Sequence, residues 1–383
     1  MRNLTLQRIA AIDVFRALTM FLMLFVNDIP GLKNIPHWLK HAEMNEDMLG
    51  FSDTIFPAFL FCMGMSISFA IQNRLKKGDN LLQVALHVFW RSVALITMGL
   101  FSVNYGSIDS IASGISRNSF CILMVIGFFL IWAVYPRVEN WKKYLFLAMK
   151  GVGIALLLYL FFIFQGKNGA PFAPKWWGIL GIIGWTYVVC SAVYLFTRES
   201  IMKNAIAWLL FIVMMILGYA GVLNLSFIPG GITHIVFGFS GVLVSLLMQQ
   251  YANPDKPAKF ILILCGLGVI MLLAALLSHP HWIISKIQAT PTWFFYCMAA
   301  FFPLFGGIYW LTDIKKKATW FDLIKPAGTA TLTCYMIPYI WYSVYAPIAF
   351  QSGGMGLLRS AVFSLLIVGI TDLLVRGNIK LKV

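Results

Sequence analysis

Charge is what this chain has least of. Only 11% of its 383 residues are Asp, Glu, Lys or Arg, and the acidic ones number 14. A soluble domain of this length carries about a quarter charged residues, so a soluble globular protein is excluded. Cysteine is scarce as well. The six, at positions 62, 121, 190, 265, 297 and 334, all fall inside apolar runs without metal-type spacing. They read as small apolar packing residues. No low-complexity segment or clear internal repeat is present. The longest loops, near 103–118, 279–292 and 313–326, hold too little sequence to fold alone. The run Ala17–Val26 is not followed by a small-x-small site, so no cleavable signal peptide is expected.

What fills the chain is hydrophobic. Apolar residues make up 60% of it, with 32 Phe and 13 Trp, and the mean hydropathy is +0.82. Apolar stretches near the length of a bilayer-spanning helix recur from end to end. The expected fold is an all-α polytopic integral membrane protein of about 10–12 transmembrane helices. The spans fall near 9–30, 50–72, 83–102, 119–135, 144–165, 176–197, 204–223, 231–250, 259–278, 293–312, 327–347 and 356–375. The segment 327–347, with Pro338 and Pro347, is expected to be broken or partly interfacial. Residues 1–383 read as one transmembrane domain. Trp176, Trp177, Trp282, Trp293, Trp310, Trp320 and Trp341 sit mostly near span ends and suit interfacial anchoring.

The net charge is +15, yet there is no basic domain, which argues against a nucleic-acid partner. Lys and Arg instead form short clusters between apolar runs. One alternate set of segments, including Arg2, Arg8, Arg137, Lys256 and Lys315–Lys317, carries 20 of them, and the other carries 7. That bias places both termini in the cytoplasm and the loop around His41 on the outer face.

That loop is the densest polar stretch of the chain. Between His37 and Asp47 it packs two His, one Lys and three acidic residues, and Asp53 and Pro57 follow at the start of the next span. His37 and His41 have the four-residue spacing of a helical zinc pair, but no third ligand pattern accompanies them, and no metal is expected. His41 suits a base or a nucleophile, since imidazole exchanges protons near neutrality. Ser52 or Asp53 suits a helix cap, with Pro57 close behind where its missing N–H is harmless. A carboxylate at Asp53 can also orient a neighbouring imidazole. In the first span Asp13 and Arg16 are three apart and can pair, either to orient the helix or to floor a cytoplasm-facing cavity. Asn27 and Asp28 end that span near the His41 loop. At the opposite mouth Arg74, Lys76, Lys77 and Arg91 set topology or, as planar and point cations, recognise phosphates. His87, His234, His279 and His281 each read singly as satisfied polar residues.

Three stretches carry a family resemblance: Ala11-Ile-Asp-Val-Phe-Arg-Ala-Leu-Thr-Met through Val26-Asn27, His41-Ala42-x-x-Asn45, and Asp53-Thr-Ile-Phe-Pro57-Ala-Phe-Leu-Phe-x-x-Gly64. Together they resemble the N-terminal signature of the transmembrane acyltransferases that include heparan-α-glucosaminide N-acetyltransferase and its bacterial relatives. The match is densest over 8–70. It continues in order at Ile284-Ser-Lys286, Thr290-Pro-Thr-Trp, Trp310-Leu-Thr-Asp313 and Gly328-Thr-Ala-Thr-Leu-Thr-Cys-Tyr335. The resemblance implies transfer of an acetyl group from cytosolic acetyl-CoA, as cosubstrate, to an amino sugar or glycan on the far side of the membrane. It implies that His41 is catalytic, with Asn27, Asn45 and Asp53 lining the centre. Arg74, Lys76 and Arg91 are then the candidates for the CoA phosphates. His41 would act as general base or accept the acetyl group itself; both routes stay open. A bacterial inner membrane is the implied location, and a second copy of the chain a candidate partner. The chain departs from the family at Met44-Asn45-Glu46 and at Asp28-Ile-Pro-Gly31-Leu, so its acceptor contacts are expected to differ. Two other classes compete. A sugar or lipid-intermediate transporter or flippase would show inverted repeats and a midplane site. A silent scaffold would fail to bind acetyl-CoA.

Overall fold

Each apolar run becomes a helix because no other open segment satisfies its backbone polar groups away from water. Residues 10–136, 138–139, 141–253, 257–345 and 350–383 are described by a computed structural model. Arg2, Arg8, Arg137, Lys256 and Pro347 lie outside them. The helices are α1 (Ala10–Asp28), α2 (Phe51–Lys76), α3 (Leu81–Asn104), α4 (Arg117–Trp132), α5 (Lys142–Ile163), α6 (Gly178–Thr197), α7 (Ile201–Tyr219), α8 (Ile232–Tyr251), α9 (Ala258–Ser278), α10 (Pro291–Tyr309), α11 (Lys325–Thr329), α12 (Thr331–Val344) and α13 (Gly353–Arg376). Among the described residues, 10 are long and apolar enough to cross a bilayer. The protein is an all-α, multi-pass membrane protein.

The remaining two expected spans are shorter than drawn. Helix α4 has 16 residues and α12 has 14. Ala330, at φ −131° and ψ 46°, separates α11 from α12. This is the break anticipated near 327–347. Just before it, α11 lies against α1: a side chain at Gly328 would meet Ala17 Cβ at 2.9 Å and the Asp13 carbonyl at 3.0 Å, so glycine permits the approach.

Packing is pairwise. Helix α2 lies along α8, α3 along α6, α4 along α5, and α9 along α10. Helix α8 is the hub, with 94% of its apolar window buried inside the protein. Glycines make the α2–α8 approach possible: a Cβ on Gly64 would run into the Gly238 carbonyl, and one on Gly241 into the Phe61 carbonyl. Five of the six cysteines are buried and all six are free, as their apolar setting predicts.

Two ends of the bundle are tied by separate sets of contacts. At one end the Asp313 carboxylate accepts from the Ala10 and Ala11 amides at 3.2 and 2.8 Å. It thereby satisfies two orphan N–H groups at the start of α1. Asp13 pairs with Arg16 at 3.4 Å, as their spacing predicts. Asp13 also lines a cavity of about 200 Å³ with Phe321, Asp322 and Lys325. At the other end Asp28 is buried, accepting from Arg359 at 2.8 Å and Ser360 at 2.5 Å, and from the Tyr342 hydroxyl. The His41 loop and the start of α2 lie at this second end.

Candidate active site

Helix α2 begins at Phe51, and its N-cap is Gly50 rather than Ser52 or Asp53. Asp53 therefore sits inside the first turn with its carboxylate free for other partners. Oδ2 accepts the Ala42 amide at 2.9 Å, which draws the His41 loop over the helix start. Oδ1 lies 2.7 Å from His41 Nδ1. The Asp53 side chain is 2% exposed, whereas that of His41 is 35% exposed. Gly50 is required here: a Cβ would collide with the Lys40 carbonyl and lie 2.9 Å from Asp53 Oδ2. Ser52 Oγ donates to the Leu39 carbonyl at 2.6 Å and adds a second tie.

Pro57 lies deeper in α2 than its expected place in the first turn. Without an N–H it cannot serve the carbonyl four residues earlier, which is that of Asp53. Trp293 Nε1 of α10 donates to that carbonyl instead, at 3.2 Å. Trp293 is fully buried. It is a structural donor at the site and not an interfacial anchor, whereas Trp176, Trp310 and Trp320 are exposed.

The loop between α9 and α10 closes the site from the side. Lys286 Nζ stands 3.2 Å from His41 Nδ1 and 3.7 Å from Asp53 Oδ1. Burial pushes the Lys286 ammonium below the usual lysine value, with the Asp53 carboxylate opposing it. Ser285 Oγ and Gln288 Nε2 both donate to the Met44 carbonyl, at 3.0 and 2.8 Å. Asp47 accepts the Ile284 amide at 2.8 Å and meets His279 Nε2 at 2.8 Å. Burial works to raise the Asp47 value, yet the Ile284 amide and His279 outweigh it and hold the carboxyl below its ordinary range.

A carboxylate can only accept a hydrogen bond, so the 2.7 Å contact places the His41 proton on Nδ1. An Nδ1–H has no lone pair left, so Lys286 is an electrostatic neighbour of His41 rather than its donor. The Nε2 lone pair is then available as a base or nucleophile.

The expected site residues fare differently. His41 and Asp53 are in direct contact. Asn45 is exposed on the same loop, and its Oδ1 accepts from Gln288 Nε2 at 3.2 Å. Asn27 is exposed in the last turn of α1 and is not joined to His41 or Asp53 by a hydrogen bond. His37 pairs with Glu46 at 3.2 Å rather than converging with His41. Arg74 pairs with Asp79 at 2.5 Å, Lys76 is exposed, and Arg91 stacks over the Tyr187 ring at 4.6 Å. Arg91 Nε is buried without a hydrogen-bond partner among the described residues. The charges of Arg74, Arg91 and Lys382 all bear on His87, so these three cations share one neighbourhood. Lys286, Gln288 and Trp293 were not among the expected site residues. For Lys286 and Trp293 the signal in the sequence was the resembling stretches Ile284-Ser-Lys286 and Thr290-Pro-Thr-Trp, and for Gln288 its place in the loop 279–290 between two apolar spans.

A family model described as a domain of unknown function, DUF5009, matches residues 8–221. This chain belongs to the DUF5009 family. The match includes α1 to α7, the His41–Asp53 pair and Arg74, Lys76 and Arg91, and it ends before the Lys286 loop. This DUF5009 member is also similar to curated proteins. Heparan-alpha-glucosaminide N-acetyltransferase of Mus musculus is 24% identical over 347 residues, covering 79% of this chain and 50% of the mouse protein. The Homo sapiens protein of the same name is 36% identical over 98 residues, covering 25% of this chain and 14% of the human one. The DUF5009 chain thus spans half or less of the length of these relatives. The resemblance read from the Asp13, His41 and Asp53 motifs leads to the same proteins.

Proposed function

We propose that this protein is a transmembrane acetyltransferase that takes its acetyl group from cytosolic acetyl-CoA. The acceptor is an amino sugar or glycan at the outer face of a bacterial inner membrane. The observation that carries the reading is the 2.7 Å His41–Asp53 contact at a partly open helix end, with the relatives' names in support.

In this reaction His41 Nε2 removes a proton from the acceptor amine or hydroxyl as its nitrogen or oxygen attacks the thioester carbonyl. The tetrahedral intermediate collapses with cleavage of the C–S bond, and the His41 imidazolium returns the proton to the departing thiolate. Asp53 holds the imidazole in the required tautomer and balances the charge it gains. Asn45 is assigned the donation of its amide N–H to the oxyanion, a contribution of a few kcal/mol when preorganised. Asn27, at the end of α1, is assigned the same role. Arg74, Lys76 and Arg91 bind the CoA phosphates at the inner end. The unpartnered Arg91 Nε is the strongest support for that assignment, because a buried donor without a partner costs about 1–3 kcal/mol.

The test is acetyl transfer from labelled acetyl-CoA to glucosamine in proteoliposomes. Replacing His41 by Ala is expected to lower the rate about 10³-fold while leaving acetyl-CoA binding intact. Full activity in that variant would overturn the assignment. Labelled acetyl-His41 trapped without acceptor would replace the base role by a nucleophilic one. Sugar flux without acetyl-CoA would favour a transporter.

A further inference from the structure

Lys286 is a half-buried cation, its side chain 25% exposed, that the reaction above does not use. It enters from the loop between α9 and α10, and its Nζ approaches the same His41 nitrogen that faces Asp53. The separations are 2.7 Å for the carboxylate oxygen and 3.2 Å for the ammonium. Coulomb energy falls as the reciprocal of distance, so the two opposite charges act on the ring with strengths that differ by about a fifth. A carboxylate beside an imidazole favours the imidazolium over the neutral base. The ammonium opposes that bias.

The loop around Lys286 is held in place for this. Asp47 grips the Ile284 amide and His279, Ser285 and Gln288 grip the Met44 carbonyl, and Ala289 turns through φ 55°. Among the described residues, the surrounding groups do not offer another partner of opposite charge. Facing the cluster are Asp53 from α2, His234 from α8, whose ring feels the Lys286 charge, and Cys297 from α10. On the His41 loop itself, Glu46 is engaged with His37 and Asp47 with His279, while Lys40 is partly exposed and Glu43 exposed.

We infer that Lys286 is a positioning residue that keeps His41 unprotonated while Asp53 holds its tautomer. The consequence for catalysis rests on the acetyl-transfer reading; the titration does not. A medium-facing site gains from such a device, because an imidazole paired only with a carboxylate loses its base form as the outside acidifies.

The experiment measures carbethoxylation of His41 by diethyl pyrocarbonate against pH in the detergent-solubilised full chain. The reagent attacks neutral imidazole, and fragment mass spectra separate His41 from His37. In Lys286→Met the midpoint is expected to move to higher pH by about 1 unit or more, a tenfold loss of base form at a fixed acidic pH. Lys286→Arg is expected to stay at the wild-type midpoint, and His281 to titrate unchanged in both. Lys286→Gln is read in the same way if the Met variant aggregates. A midpoint that stays or moves lower on removing the cation overturns the inference. The acid limb of the kcat/KM profile should move with the midpoint. If wild-type protein transfers no acetyl group, the proposed reaction fails, and the titration still decides the role of Lys286.

Discussion

The two ionisable residues at the centre of this site do different work because they are buried differently. Asp53 is shielded and twice bonded, by the Ala42 amide and by His41, so its geometry is over-determined. His41 keeps one nitrogen on that carboxylate and leaves the other toward the opening. Replacing Asp53 by Asn keeps the shape but lets the side-chain amide donate to Nδ1, which pushes the proton to Nε2 and removes the base. Acetyl transfer by Asp53→Asn is expected to fall at least about 100-fold, with acetyl-CoA affinity near wild type. Comparable rates for the two proteins would mean that the contact is structural only. The contact between His41 and Asp53 was legible in the sequence, because a His in a polar loop and an Asp at a helix start imply such a partner. The carbonyl left free by Pro57 and taken by Trp293 was not. That bond joins residues 240 positions apart, and nothing local in either segment names the other.

At the scale of helices, the organising pair is α2 and α8, brought into backbone contact by Gly64, Gly238 and Gly241. A side chain at Gly241 would have to displace the Phe61 carbonyl, which a helix backbone cannot yield cheaply. Gly241→Val is expected to cost about 3 kcal/mol or more and to lower the thermal midpoint in detergent well below that of wild type. Gly151 on α5 has open space around it, so Gly151→Ala should leave the midpoint unchanged or raise it through better helix propensity. Equal effects at the two positions would refute the close approach. Helix existence was readable from hydropathy, but helix rank was not. Helix α9 is the most apolar of the ten and only 28% of its window is buried, while the less apolar α8 reaches 94%. A helix facing lipid must be apolar all round, whereas one enclosed by protein can carry Thr233, His234, Ser240 and Ser245 with partners in its neighbours. High hydropathy therefore marks the outside of the bundle.

For the whole molecule, the His41 loop and the segments bearing Lys315–Lys317 lie at opposite ends of α10 and its π-helical extension Trp310–Ile314. The asymmetry of Lys and Arg predicts which end is cytoplasmic. A cysteine placed at Asn45 is expected to react with a membrane-impermeant maleimide in intact cells. One placed at Lys316 should react only after permeabilisation. The reverse pattern would invert the protein and with it the proposed direction of acetyl transfer.

The sequence by itself determined the class and the approximate spans, and it singled out His41 as the candidate to test. These follow from composition and from short-range pattern, which the bilayer makes unusually informative by forbidding unpaired backbone. Only the tertiary structure decided what completes the site. Lys286 and Gln288 reach it from a loop more than 230 residues further along the chain, and Trp293 reaches it from α10. Their placement depends on how α2, α8 and α10 pack, and packing is a property of surfaces that no single stretch of sequence contains.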